Sequence, residues 1–267
     1  MNTAAGGTES GRLRGRDPIL ERIPATRNLA YRARYLVNAY PALYMPIGRF
    51  RHRHSSDYCV GPGTEIVIEG FGRAGSTFAW LAFMSAQDRP VRTAHHTHAA
   101  AQVITAVRLG KPTLVIVRPP TDAALAHMAR KGITARMALV AWTRFHRRIL
   151  PHAEGFVVCS FGEMTTNFGP VVERVNQRFG TDFGVFEHSP EHEQEIFDQI
   201  RERNRRRFGD QPSGDSSKAL GLPSAEREAL KETFRSQLAA PDLEELRNRA
   251  QRTYDALVTP SQRSGRG

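Results

Sequence analysis

The clearest chemistry in this sequence lies between Glu65 and Thr77, where a short apolar stretch runs into glycines, a basic residue and hydroxyls. The end of that stretch reads Gly70, Phe71, Gly72, Arg73, Ala74, Gly75, Ser76, Thr77. The next residues, 78–84, are nearly all apolar, which predicts a buried helix. Glycines let the backbone approach an anion closely, and the first amides of a helix favour negative charge. The pattern therefore predicts a phosphate-binding loop.

The loop departs from the P-loop of nucleoside triphosphatases in one position. Gly70 and Gly75 fit the spacing G-x-x-x-x-G-K-[ST], but Ser76 stands where the lysine is required, and the basic residue is Arg73 inside the loop. That lysine reaches the β- and γ-phosphates, so its absence argues against ATP hydrolysis and ordinary kinase chemistry. The structural alternative is a tight strand-to-helix turn that binds nothing.

A second apolar stretch, residues 113–117, predicts another buried strand that ends at Arg118 and two prolines. Ligands of open parallel α/β sheets bind beyond the carboxyl ends of the strands, so Arg73 and Arg118 are expected to face one crevice. Two cations there suit a ligand with two phosphate groups. The structural alternative is that Arg118 pairs with Asp122 and only shapes the loop.

These motifs resemble those of the sulfotransferases. Residues 71–77 are similar to the family's 5′-phosphosulfate loop, with an arginine as in its Golgi-type and bacterial branches, and residues 117–122 are similar to its 3′-phosphate motif. Thr97 and His98 resemble the step that carries the catalytic base, and residues 156–164 resemble a later strand and its glutamate segment. The resemblance runs in order from about Glu65 to Phe183.

The resemblance implies a cosubstrate, 3′-phosphoadenosine-5′-phosphosulfate (PAPS), bound without a metal. The residues implied to bind it are Gly72, Arg73, Ala74, Gly75, Ser76, Thr77, Arg118 and Phe161, the last in place of a tyrosine near the adenine. Ala126 stands where the family often has a serine, so one 3′-phosphate contact is missing or comes from elsewhere. The late R-K-G motif of the cytosolic branch has no match, because residues 130–132 fall too early and are interpreted as a helix end.

The implied reaction is sulfuryl transfer to a hydroxyl or an amine. The transferred group carries less negative charge than a phosphoryl group, so no metal is obligatory. Arg73 is predicted to stabilise the leaving oxygen electrostatically. Removing the proton of the acceptor needs a base with a pKa near neutrality, which suits histidine. His98 is the predicted base, and His96 is the second candidate.

Other interpretations of the histidine cluster stay open at this point. His95, His96 and His98 could ligate zinc, although no cysteine or carboxylate ligand set is evident nearby. They could also be loop histidines that bond the backbone without taking part in catalysis. Some family members use a carboxylate base, which makes Glu69 a further candidate.

Composition favours a soluble globular protein: 267 residues, no apolar run of membrane-spanning length, and no signal-peptide pattern at the start. Two cysteines, Cys59 and Cys159, form neither a disulfide framework nor a metal cluster, so a cytoplasmic location is predicted. The formal charge of +11 comes from local arginine-rich patches. These suit an anionic membrane surface as well as nucleic acid, but no recognisable nucleic-acid module accompanies them, so no specific nucleic acid is predicted.

The chain divides into four predicted parts. Residues 1–20 are predicted to be disordered, and residues 21–208 to form an α/β domain with a helical lead-in. Residues 209–222 read as a linker, and residues 223–259 as a helical hairpin that packs on the domain or on a second copy. The lead-in is amphipathic, which predicts either a packed helix or docking on a lipid or glycan. The predicted fold is a three-layer, P-loop-type α/β fold, with a central parallel sheet flanked by helices and a C-terminal helical tail.

The function hypothesis is a PAPS-dependent sulfotransferase whose acceptor is a carbohydrate, a lipid, a small phenol or a peptide. One alternative is a divergent P-loop kinase for a small molecule, for which Asp122 would hold the divalent cation. The other is a non-catalytic basic protein that keeps the fold and docks on an acidic surface.

Overall fold

A computed structural model describes residues 25–54, 58–208 and 225–264, so the predicted disordered segment, residues 1–20, and the predicted linker, residues 209–222, lie outside the described residues. The strands are β1 Ile66–Gly70, β2 Thr93–His95, β3 Thr113–Val117 and β4 Val157–Ser160. The helices are α1 Ala25–Val37, α2 Pro41–Arg51, α3 Ser76–Ser85, α4 Ala100–Arg108, α5 Pro120–Lys131, α6 Ala135–Ile149, α7 Phe161–Thr166, α8 Gly169–Phe179, α9 Pro190–Phe208, α10 Ala225–Leu238 and α11 Glu244–Ser264.

The four strands form one parallel sheet in the order β2-β1-β3-β4. All residues of β1 and β3 are buried, which explains why the central strands read as apolar runs. The apolar pattern of the sequence does not indicate β2. This strand has only three residues, two of them polar, and it lies at the sheet edge, where it pairs with β1 alone.

Helices cover both faces of the sheet because β3 alternates its apolar side chains between two cores. Val115 and Val117 pack with α4, α5 and α6 on one face. Leu114 and Ile116 pack with α3, α8 and α9 on the other. The prediction of a three-layer α/β fold with a central parallel sheet is confirmed.

The two C-terminal helices lie against the same domain. Phe234 and Leu238 of α10, with Ala250 and Leu257 of α11, are buried in the core that α5 and α6 form. The helix before them, α9, begins at Pro190. The Ser189 hydroxyl accepts a hydrogen bond from the first turn of this helix. Among the described residues, no helix is both long and apolar enough to cross a membrane.

Two buried histidines should make the fold sensitive to acid. Burial lowers the pKa of His146, and also that of His127, to about 3. An unfolded histidine has a pKa of about 6.5. Between pH 3 and pH 6.5 the unfolded chain therefore binds more protons than the folded chain. The free energy of unfolding decreases as the pH falls from 6.5 towards 3.

The expected slope is about 1.4 kcal/mol of unfolding free energy per pH unit for each histidine, in the middle of that window. His146 contacts only the core, where its Nδ1 donates to the Trp142 carbonyl at 2.8 Å and its ring stacks on that indole. His146→Leu should therefore remove its share of the slope. Urea unfolding of both proteins at pH 7, 6 and 5 tests this, and identical slopes would contradict it.

Candidate functional site

The predicted phosphate loop, residues 71–77, runs from the end of β1 into the first turn of α3 at the carboxyl edge of the sheet. Gly75 precedes α3 with φ 95°. The first amides of a helix have no intrahelical partner, and at α3 no side chain caps them. A Cβ at Gly75 would lie 2.5 Å from Cε of the flexible Met164 side chain, so the positive φ, rather than the packing, is what favours glycine here. The loop thus presents the positive end of a helix dipole.

Three residues other than glycine adopt left-handed backbone conformations in the described part of the chain: Arg73, His96 and His98, with φ of 75°, 62° and 52°. All three follow β1 or β2 at the carboxyl edge. Such conformations cost about 1 to 3 kcal/mol each and cluster at functional sites. The sequence does not predict this strain, because arginine and histidine are not residue types that indicate a positive φ.

Arg118 lies against the backbone of Arg73. Its Nη1 donates to the Arg73 carbonyl oxygen at 3.2 Å, and its guanidinium carbon lies 4.2 Å from the centre of the Phe161 ring. The Trp142 indole donates to the Arg118 carbonyl oxygen at 3.2 Å, which fixes the end of β3. Arg73, Arg118 and Phe161, three of the sequence-predicted site residues, are therefore neighbours.

The loop side chains beyond Arg73 differ in their surroundings. The Thr77 hydroxyl is 2.7 Å from His96 Nε2. Ser76 is buried, and its hydroxyl has no hydrogen-bond partner within the described residues. Ala74 is also buried, and its amide donates to the Phe71 carbonyl at 3.0 Å in a tight turn.

His98 is oriented by the end of β1. Its Nδ1 lies 2.8 Å from the Gly70 carbonyl oxygen, which can only accept, so this nitrogen carries the proton of the neutral ring. Its Nε2 has no hydrogen-bond partner in the parts of the chain that the structure describes. A neutral His98 therefore presents an unprotonated nitrogen, as a general base must.

His96 is held differently, since both of its ring nitrogens have partners. Nε2 contacts the Thr77 hydroxyl, and Nδ1 contacts Nδ1 of His95. His95 is itself buried, with its ring 4.3 Å from that of Trp80. His96 therefore links the end of β2 to the phosphate loop, whereas His98 leaves one nitrogen for a ligand.

Glu69, the carboxylate candidate, is completely buried inside β1. Its Oε1 accepts from the amide and the hydroxyl of Thr97, both at 2.7 Å, and from Gln102 Nε2 at 3.2 Å. Its Oε2 accepts from the His98 amide at 3.1 Å and the Gly70 amide at 3.3 Å. Burial raises the pKa of Glu69, while the His98 charge and the Thr97 bonds lower it. This carboxylate positions the segment that carries His98.

Sequence reasoning missed His127, which lies under the loop. A Cβ at Gly72 would be 3.0 Å from His127 Cε1, and the Phe71 ring centre is 5.0 Å from that of His127. Tyr35 of α1 brings its hydroxyl within 3.0 Å of His127 Nε2. The lead-in helix α1 thus supports the phosphate loop, and a histidine on the buried side of α5 gives no sequence signal of this.

The residues behind the alternative interpretations lie apart from this arrangement. Asp122, the candidate cation ligand of a kinase, is exposed on the first turn of α5, and Ala126 is buried on the same helix. Among the described residues, no group of three or more histidine, cysteine, aspartate and glutamate side chains is placed to hold a metal ion.

Comparisons with known proteins find little. No protein-family model and no curated protein match the chain. Among solved structures, the mouse sulfotransferase SULT7A1 complexed with PAP is similar, with 15% sequence identity and a TM-score of 0.38. The similarity covers 83% of this chain and 92% of that chain. These values do not place the chain in a family.

Proposed function

We propose that this protein is a PAPS-dependent sulfotransferase that transfers a sulfuryl group to a hydroxyl or an amine. The observation that carries the proposal is the hydrogen bond from Arg118 to the Arg73 carbonyl oxygen. Through this bond, the guanidinium of Arg118, from the end of β3, lies against the backbone of Arg73 in the loop after β1, beside the uncapped start of α3. A nucleotide with phosphate groups on both its 5′ and 3′ sides suits that pair of charges.

In this proposal the loop and Arg118 hold opposite sides of the nucleotide. The first amides of α3 and the guanidinium of Arg73 bind the 5′-phosphosulfate. Arg118 binds the 3′-phosphate, and Phe161, on which its guanidinium already stacks, offers an apolar face to the adenine.

The reaction itself needs a base and a stabilised leaving group. The acceptor oxygen forms a bond to sulfur as the bond from sulfur to the bridging oxygen breaks, and the acceptor proton passes to His98 Nε2. The bridging oxygen leaves with the nucleotide, and Arg73 with the α3 amides stabilises its developing charge. Glu69 holds the backbone of His98 by accepting a hydrogen bond from its amide.

A transfer assay tests the proposal. The full chain is incubated with ³⁵S-labelled PAPS and separate pools of carbohydrates, lipids, phenols and peptides, in the presence of EDTA. We expect a labelled product from one pool, and none when His98→Ala replaces the unaltered chain. The absence of product from every pool, with the fold intact by circular dichroism, would contradict the proposal.

Arg118→Ala should weaken the binding of a 3′-phosphorylated nucleotide more than the binding of a nucleotide without that phosphate. A hydrogen bond to a charged group contributes about 1.5 to 3 kcal/mol, which corresponds to about 10- to 150-fold in affinity. Binding of 3′,5′-adenosine bisphosphate should fall by this factor, and binding of 5′-AMP should change little. Calorimetry with both nucleotides measures the difference.

Arg136→Ala is the matched control for that experiment, since Arg136 is an exposed arginine that pairs with Asp242 away from the site. It should leave both affinities unchanged. An equal loss for the two nucleotides in Arg118→Ala would assign Arg118 a purely structural role.

A further inference from the structure

Exposed apolar side chains are concentrated at the two helices that precede the sheet. In the part of the chain that the structure describes, six of the eight large hydrophobic side chains that are exposed lie within residues 29–50. They are Leu29, Leu36, Tyr40, Leu43, Ile47 and Phe50. Phe50 is 71% exposed and Leu29 is 69% exposed. We refer to these six residues as the α1–α2 apolar surface.

Core packing does not explain this surface, because α2 already has a separate buried face. Tyr44 and Met45 are buried in a small core with residues of α4. Leu43, Ile47 and Phe50 follow the spacing i, i+4, i+7 and form another stripe, which is exposed. A surface helix of a globular protein needs one apolar stripe, and α2 has two.

The charge around this surface has one sign. From residue 22 to residue 56 the sequence has seven arginines and no aspartate or glutamate. The arginines of this stretch with described side chains are all exposed: Arg32, Arg34, Arg49, Arg51 and Arg53. The guanidinium of Arg53 lies 4.6 Å from the centre of the Phe50 ring, so cationic and apolar groups are interleaved.

We propose that the α1–α2 apolar surface docks on a bilayer that contains anionic phospholipids. The apolar side chains would enter the boundary between headgroups and acyl chains, and the arginines would contact the lipid phosphates. The charge pattern argues against two other occupants. A second copy would bring arginines against arginines, and a nucleic acid would leave the apolar stripe in water. The proposal does not depend on the sulfuryl-transfer reaction.

Vesicle flotation of the full chain tests the proposal. The vesicles contain phosphatidylcholine alone or phosphatidylcholine with phosphatidylserine. We expect binding only to the second kind, and weaker binding as the salt concentration rises. No binding to the anionic vesicles, or equal binding to both kinds, would overturn the proposal.

The apolar half of the surface is tested by the combined variant Leu43→Ser, Ile47→Ser, Phe50→Ser. We expect at least a tenfold loss of binding to anionic vesicles, with the thermal unfolding transition unchanged because these side chains are exposed. The control is Leu109→Ser, an exposed leucine after α4, which should bind as the unaltered chain does. Equal binding by the combined variant and this control would overturn the proposal.

The charged half is tested by the combined variant Arg49→Gln, Arg51→Gln, Arg53→Gln. Each arginine near an anionic surface contributes about fivefold to binding, so the loss should exceed tenfold. The control removes the same charge from α9 by Arg201→Gln, Arg205→Gln, Arg206→Gln and should bind normally. If the unaltered chain is instead a dimer in solution and the apolar variant is a monomer, the surface is an interface between copies and the proposal is wrong.

Discussion

His98→Ala is expected to lower turnover by about a hundredfold or more and to leave nucleotide affinity nearly intact. The Gly70 carbonyl fixes the proton on Nδ1 of neutral His98, so the lost group is the unprotonated Nε2 of a ring that is hydrogen-bonded to the end of β1. The alanine variant cannot accept the proton of the acceptor as the bond to sulfur forms. Steady-state turnover with PAPS and calorimetry with 3′,5′-adenosine bisphosphate separate the two effects.

Alanine variants of the neighbouring histidines provide the comparison. His96 contacts the Thr77 hydroxyl, so His96→Ala should disturb the loop and change nucleotide affinity as well as turnover. His95 is buried against Trp80, so His95→Ala should mainly reduce stability. If His96→Ala is inactive and His98→Ala is active, the base is His96. If all three variants are active, no histidine of the cluster is the base.

Replacement of Arg73 should have the second large effect, a loss of turnover of about 100- to 1,000-fold with a smaller loss of nucleotide affinity. The charge on the leaving oxygen develops mainly in the transition state, so its stabilisation appears in turnover. Arg73 has φ 75°, a left-handed conformation that glycine adopts without strain. Arg73→Gly therefore removes the guanidinium without adding backbone strain, and it is the variant of choice.

Arg73→Lys is the matched variant that keeps the charge and loses the forked donor geometry. It should retain more turnover than Arg73→Gly. Turnover in Arg73→Gly equal to that of the unaltered chain would exclude the role, and an equal loss in turnover and affinity would restrict Arg73 to binding.

Local sequence patterns predict those strands in which every residue is buried. β1 and β3 are buried along their whole length, and their apolar runs identify them without any tertiary information. β2 could not be found in this way, because its residues are Thr93, Ala94 and His95, and only pairing with β1 makes them a strand. The exposed apolar stripe of α2 has the same periodicity as a buried one, so periodicity alone could not separate packing from docking.

The sequence indicates which residue types form the candidate site, but not how their side chains are oriented. The cluster of His95, His96 and His98 is visible in the sequence, but which nitrogen has a partner depends on Gly70 and Thr77. Nothing in the sequence distinguishes Glu69 from other carboxylates, whereas in the structure it accepts hydrogen bonds from five donors. Such contacts join residues distant in sequence, which single-sequence reasoning cannot place.

Binding of 3′,5′-adenosine bisphosphate in EDTA, compared by calorimetry with binding of ATP and Mg²⁺, tests the central claim most directly. In the proposed complex, two arginines and the first amides of α3 bind a nucleotide with 5′ and 3′ phosphate groups, without a metal. We therefore expect the bisphosphate to bind in EDTA and ATP with Mg²⁺ to bind much more weakly. Tight binding of ATP that requires Mg²⁺, or indifference to both nucleotides, would contradict the account.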